Sequence, residues 1–206
     1  MCAPFWSTPL STRVALNMRS TVTQTHPIPM NAPNRTRSVF LVGFMGAGKT
    51  SVGLLLGQRL GWRFVDLDRQ IEARVGKTVA NIFRELGEAG FRQMETEALQ
   101  KLLDALNDGD PTVIALGGGA FIQPANRELL ENARARVIYL DAPIDELRRR
   151  LGEDDATRPL FLDAERFRML YEERQPLYRI APYRVQTAGK TVIEVAREIE
   201  SLLGEG

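Results

Sequence analysis

The chain has 206 residues, which suits one domain with its own core and room for a tail. A hydrophobic fraction of 44%, a charged fraction of 26% and a formal net charge of +1 fit a soluble globular protein and call for neither nucleic acid nor an anionic membrane. Cys2 is the only cysteine, so no intramolecular disulfide can form, and no apolar run approaches the roughly 20 residues that span a bilayer.

The charge is unevenly spread. Residues 1 to 37 carry Arg13, Arg19, Arg35 and Arg37 and no acid; the first acidic residue is Asp66. Without that stretch, 23 Lys and Arg face 26 Asp and Glu, a balance of about −3. The stretch is also rich in Ser, Thr, Pro and Asn, and such a composition buries too little apolar surface to order itself. Residues 1–36 are expected to be a disordered or targeting extension of a folded domain covering 37–206. Three readings stay open: an extension with Met18 or Met30 as the true start, an organelle-targeting peptide, and a functional basic arm. A secretory signal does not fit, because no apolar core follows a basic start.

From Ser38 the pattern becomes regular. Val39 to Val42 is a short apolar run that reads as a buried parallel strand. Thr50 to Leu60 has helical spacing, with Gly61 as its stop. Arg63 to Asp68 reads as a second strand. Helical patterns follow over Arg69 to Val75, Val79 to Leu86 and Glu88 to Leu106, punctuated by Gly76 and Gly87. Thr112 to Leu116 is a third strand, Ala125 to Ala133 a helix, and Arg136 to Leu140 a fourth strand. Pro143 opens a helix to Leu151, and Gly152 to Thr157 reads as an acidic loop. A helix over Ala164 to Gln175, a strand over Tyr183 to Gln186 and a helix over Thr191 to Leu203 complete the chain. Alternating strands and helices predict an α/β fold with a parallel sheet covered on both faces.

Between the first strand and first helix stands Gly43-Phe44-Met45-Gly46-Ala47-Gly48-Lys49-Thr50, which matches G-x-x-x-x-G-K-[ST] in its required context. Its glycines let the backbone curl so that N–H groups and the helix N-terminus face phosphate oxygens. Lys49 supplies charge for the β and γ phosphates, and Thr50 a hydroxyl for Mg²⁺. This predicts ATP binding through Gly46, Ala47, Gly48, Lys49, Thr50 and Ser51. A nucleotide site alone leaves switch, motor and kinase open.

Asp66 and Asp68 lie two apart at the expected end of a strand, where residues two apart share a face. One carboxylate can serve the metal, and the other can accept a proton from, or orient, an attacking hydroxyl. The third strand ends in Gly117-Gly118-Gly119 rather than in the usual second acid of a nucleotide hydrolase, so Asp66 is the candidate replacement. Arg92, Arg158 and Arg174 offer guanidinium forks suited to carboxylates and phosphates. His26, the only histidine, lies in the tail.

These pieces, in this order, resemble the shikimate kinase family over residues 38 to 203: the phosphate loop, Asp66-Leu67-Asp68, Ile82-Phe83, Gly87-Glu88, Phe91-Arg92, Gly117-Gly118-Gly119, Arg158-Pro159-Leu160 and Arg174-Gln175-Pro176-Leu177-Tyr178. Thr50-Ser51 reverses the frequent Ser-Thr order and keeps the metal-facing hydroxyl. The resemblance implies a P-loop NTPase three-layer sandwich, five parallel strands in the order 2-3-1-4-5, nucleoside-monophosphate-kinase-like with a mobile lid. It implies phosphorylation of the 3-hydroxyl of shikimate by ATP with Mg²⁺. Asp68 would bind the acceptor hydroxyls, Arg92 and Arg174 would clamp its carboxylate, Gly118 and Gly119 would touch it through the backbone, and Phe83 and Phe91 would wall its ring. Asp66 and Thr50 would serve the metal. Lys49 and Arg158, the latter from the lid, would reach the phosphates. Adenine is expected near Arg149 or Arg150 and the loop around Lys190. A cytoplasmic monomer with only small-molecule partners is expected, with plastid import left open by the basic extension. Two rivals remain: a gluconate- or nucleoside-monophosphate-type kinase, and a nucleotide-dependent regulator.

Overall fold

A computed structural model describes residues 38–106, 110–154 and 164–204. The N-terminal extension, Arg158 and the expected lid around it lie outside the described residues.

Five strands form one sheet: β1 (Val39–Val42), β2 (Arg63–Asp66), β3 (Thr112–Ala115), β4 (Arg136–Asp141) and β5 (Tyr183–Gln186). All neighbours are parallel and the order is β2-β3-β1-β4-β5, as the resemblance implied. The central strands are buried along nearly their whole length, while edge strands β2 and β5 are partly open, which explains their more polar sequences. Phe40 pairs with Ile114 on one side and Val137 on the other, at the heart of the core.

Among the described residues, seven α-helices cover the sheet: α1 (Lys49–Leu60), α2 (Leu67–Val75), α3 (Val79–Leu106), α4 (Pro124–Asn132), α5 (Ile144–Asp154), α6 (Ala164–Tyr178) and α7 (Val192–Gly204). Helix α1 packs on α7, and α3 packs on both α2 and α4. Gly61 and Gly76 close their helices in the left-handed conformation. Gly87, at φ 68° and ψ −179°, breaks α3 where two separate helices were expected.

Three expectations on element boundaries change. The second strand stops at Asp66, because that side chain accepts the Arg69 N–H and caps a helix starting at Leu67. Asp68 therefore rides the first turn of α2, not a strand face. The helix after β4 begins at Ile144, with the Pro143 carbonyl accepting from Leu147 N, and it continues to Asp154 instead of ending at Leu151. Helix α6 runs through Pro176 to Tyr178, one turn past the expected end at Gln175.

Candidate active site

The phosphate loop, the Asp66 turn and the Gly117–Gly119 turn all follow carboxyl ends of strands, where open α/β sheets place ligands. The loop leaves β1 through Gly43 at φ 144°, and a side chain there would meet the Leu140 carbonyl at 2.6 Å. Only glycine permits both that conformation and that approach. Phe44 anchors the loop from below: it is 2% exposed and meets Phe167 and Tyr171 edge-on, at 5.2 and 5.5 Å between centroids. Such aromatic pairs add about 0.5–1.5 kcal/mol each beyond burial. Lys49 Nζ donates to the carbonyls of Gly43 and Phe44 at 2.8 and 3.0 Å, so its ammonium arches over the loop it serves.

Thr50 Oγ1 donates to Asp66 Oδ2 at 2.8 Å. One carboxylate thus caps α2 and reaches the first turn of α1. The paired hard oxygens suit Mg²⁺, which binds few protein groups and completes its shell with phosphate and water. Among the described residues, no group of three or more His, Cys, Asp or Glu is placed to hold a metal.

Beside the loop, α2, α3 and the turn after β3 converge. Among the described residues Asp68 Oδ1 is buried with no hydrogen-bond partner. Burial first, then the Asp66 charge, hold this carboxyl above its usual range, against the pull of Lys49 and Arg92. Glu95 is 0% exposed; its Oε2 accepts from Arg92 Nη1 at 2.9 Å and Gln123 Nε2 at 2.7 Å, while Oε1 has no partner. Burial pushes Glu95 up to about 7, with Arg92 opposing and Asp68 assisting. A methyl group on Gly117 would lie 2.4 Å from Asp68 Oδ1 and 2.8 Å from Glu95 Oε1, so the two unpartnered oxygens face one point.

Arg92 also reaches Glu88, at 3.1 Å, and its guanidinium lies 5.8 and 5.6 Å from the ring centroids of Phe83 and Phe91. Those rings stack on each other at 4.6 Å and support the cation from one side. On the other side stands Gly119, where a methyl group would meet Arg92 Nη1 at 2.2 Å. Tyr178, one helical turn after Arg174, donates its hydroxyl to the Gly118 carbonyl. Arg150 fixes the β5–α7 connection through Thr187, at 3.1 Å to Oγ1 and 2.7 Å to O, while Arg149 pairs with Glu146. Lys190 in that connection pairs with Glu198.

The structure thus gathers Lys49, Thr50, Asp66, Asp68, Arg92 and the triple glycine at one edge, and seats Arg174 on α6 one helical turn before Tyr178, which bonds Gly118. Sequence reasoning missed Glu95, Gln123 and Tyr178. Glu95 did carry a signal: it sits in the apolar register of α3 with Phe91 and Leu99, all buried. A charged residue in such a stripe needs a partner, and Arg92 is three residues away.

A family model for shikimate kinase matches residues 45–203. The chain belongs to the shikimate kinase family. Among curated relatives, the shikimate kinase of Geobacter metallireducens is 42% identical over 177 residues, covering 84% of this chain and 96% of that one. The one from Persephonella marina is 38% identical over 164 residues, covering 79% and 96%. The solved structure of the shikimate kinase from Acinetobacter baumannii in complex with shikimate is 38% identical, with a TM-score of 0.73 over 82% of this chain and 93% of that one. A gluconokinase from Sinorhizobium meliloti shares the fold alone, at 18% identity and a TM-score of 0.57 over 82% of this chain and 91% of that one.

Proposed function

We propose that this chain transfers the γ-phosphoryl group of ATP to the 3-hydroxyl of shikimate, on the route to chorismate and the aromatic amino acids. Family membership supports the reaction. The observation that carries the acceptor is the cluster beside the phosphate loop: a guanidinium wedged against Gly119 and a buried carboxylate oxygen on Asp68 that none of the described residues satisfies. An anionic polyol offers what each needs, a carboxylate for the cation and a hydroxyl for the oxygen.

In this reading Asp68 orients the acceptor hydroxyl and accepts its hydrogen bond. Its raised proton affinity suits a group that takes a proton as the O–P bond forms. Arg92 and Arg174 hold the acceptor carboxylate, with Gly118 and Gly119 lining it by backbone. Lys49 leaves its loop carbonyls for the phosphates, joined there by Arg158, so that positive charge surrounds the group in flight. Thr50 and Asp66 would hold Mg²⁺, which when bound neutralises phosphate charge. In-line placement does most of the work, since phosphoryl transfer needs little covalent help. Adenine is assigned to Arg150 rather than Arg149, because Arg150 is braced on Thr187 beside the Lys190 connection.

The kinase domain is assigned to residues 37–206, a span that the family match at 45–203 supports. A monomer acting in the cytoplasm on small molecules, without nucleic-acid or membrane partners, fits the net charge of +1. Among the described residues no helix is long and apolar enough to cross a membrane.

The test is ADP release by the purified chain with Mg-ATP and shikimate, gluconate or AMP. Release stimulated by shikimate alone is expected. Stimulation by gluconate or AMP but not by shikimate overturns the assignment.

A further inference from the structure

We infer that Thr187 is a positioning residue for the nucleotide: it grips the edge of the Arg150 guanidinium and leaves the flat face of that group to the adenine ring. This rests on the adenine assignment proposed above. Arg150 Nη1 donates to Thr187 Oγ1 at 3.1 Å and Nη2 to Thr187 O at 2.7 Å, while Nε donates to Glu146 Oε1 at 2.9 Å. Such bonds lie in the guanidinium plane and fix its tilt. Thr187 fills the end-on fork and Glu146 takes the Nε–H, so the group offers a base its face. A planar cation stacks well on an aromatic ring. The place fits a nucleotide. In the phosphate loop, a methyl group on Gly46 would lie 3.0 Å from Leu151 Cγ and 3.1 Å from the Leu147 carbonyl. Both belong to α5, and Leu151 follows Arg150 directly.

Thr187 is itself anchored. It is buried just past the end of β5. Its N–H and its hydroxyl both donate to the Asp141 carbonyl, at 2.8 and 3.2 Å. A hydroxyl that donates to a carbonyl can still accept from a cation. The buried Asp141 carboxylate accepts from Tyr139 at 2.8 Å, from Arg184 Nε at 2.7 Å and from Gln186 at 3.0 Å. The ends of β4 and β5 are therefore locked together where Thr187 leaves the sheet. Without the Thr187 hydroxyl, Arg150 would keep its charge and lose one of the two bonds that hold its fork.

Thr187→Val removes the hydroxyl and keeps the side-chain shape and the backbone carbonyl. Thr187→Ala and Thr187→Ser both lose the methyl group and differ only in the hydroxyl, so that pair decides if Thr187→Val does not fold. Tyr139→Phe is the companion variant: it takes a buried hydroxyl from Asp141 and leaves Thr187 and Arg150 untouched. Melting temperature and the KM values for ATP and shikimate are measured for these and for Arg150→Ala. So is inhibition by Mg-tripolyphosphate, which carries the phosphates without a base. Expected for Thr187→Val and Thr187→Ala is an ATP KM about three- to tenfold higher, with the shikimate KM and the tripolyphosphate inhibition constant within about twofold of wild type. Thr187→Ser keeps the ATP KM near wild type. Tyr139→Phe lowers the melting temperature and leaves the ATP KM near wild type. An ATP KM that Thr187→Val and Thr187→Ala leave unchanged, while Arg150→Ala raises it, overturns the inference alone. So does tripolyphosphate binding weakened as much as ATP, an equal rise for ATP and shikimate, or an ATP KM raised as far in Thr187→Ser or Tyr139→Phe as in Thr187→Ala. An unchanged ATP KM in Arg150→Ala overturns the adenine assignment, and the inference with it. Wild-type protein that ignores shikimate overturns the proposed function, and that control is read first.

Discussion

The buried Glu95 carboxyl makes stability depend on pH in a way its amide cannot copy. In the folded protein burial raises the pKa of this group to about 7, against an ordinary value of 4.5. The unfolded chain therefore loses the proton first as pH rises. Below about pH 4.5 both states hold it and its contribution is fully present. Between 4.5 and about 7 the folded state binds more protons, so stability falls with rising pH, and above about 7 the loss is complete. At about 1.36 kcal/mol per pH unit, the loss amounts to about 3 kcal/mol. In Glu95→Gln the amide oxygen can accept from Arg92 and Gln123, and its N–H₂ can face Asp68 Oδ1, which now lacks a donor. The variant mimics the protonated acid at every pH. Urea unfolding followed by circular dichroism, from pH 4.5 to 8, should show variant and wild type close at the acid end. The variant should gain on wild type by about 3 kcal/mol at pH 8. A stability difference that stays constant over this range would refute the reasoning, since it would mean Glu95 ionises alike in both states.

Other outcomes follow from the same cluster. Gly119 has an ordinary φ of −104°, so Gly119→Ala should introduce no backbone strain. Its methyl group would displace the Arg92 guanidinium from 2.2 Å, so the shikimate KM should rise by about 10- to 100-fold, as for loss of a charged hydrogen bond. Asp68→Ala should abolish shikimate phosphorylation while calorimetry still detects ATP binding; loss of ATP binding would give that carboxylate another job. Asp66→Asn should raise the Mg²⁺ concentration needed for half-maximal rate by about tenfold, because a charged partner of Thr50 is gone. An unchanged Mg²⁺ requirement would separate Asp66 from the metal.

From the sequence alone, local order set most of this protein. Glycine spacing announces the phosphate loop because only a loop with N–H groups turned inward can use that pattern between a strand and a helix. Apolar runs mark the buried strands, and Gly61, Gly76 and Gly87 mark breaks, since a residue at positive φ interrupts a helix. Tertiary structure decided what depends on residues far apart. The Arg63–Asp68 stretch reads as strand throughout, yet Asp66 found a better use for its carboxylate as a helix cap, with Thr50 as a second partner. The apolar register of α3 marks Glu95 as buried, but only the fold turns it toward Gly117 and Asp68. There, burial and a neighbouring charge raise its proton affinity as no feature of its own segment could. The reach of Tyr178 to Gly118 likewise exists only because α6 lands beside the turn after β3. Propensity acts over a few residues, whereas desolvation and hydrogen bonding across the chain need the packed fold that brings the groups together.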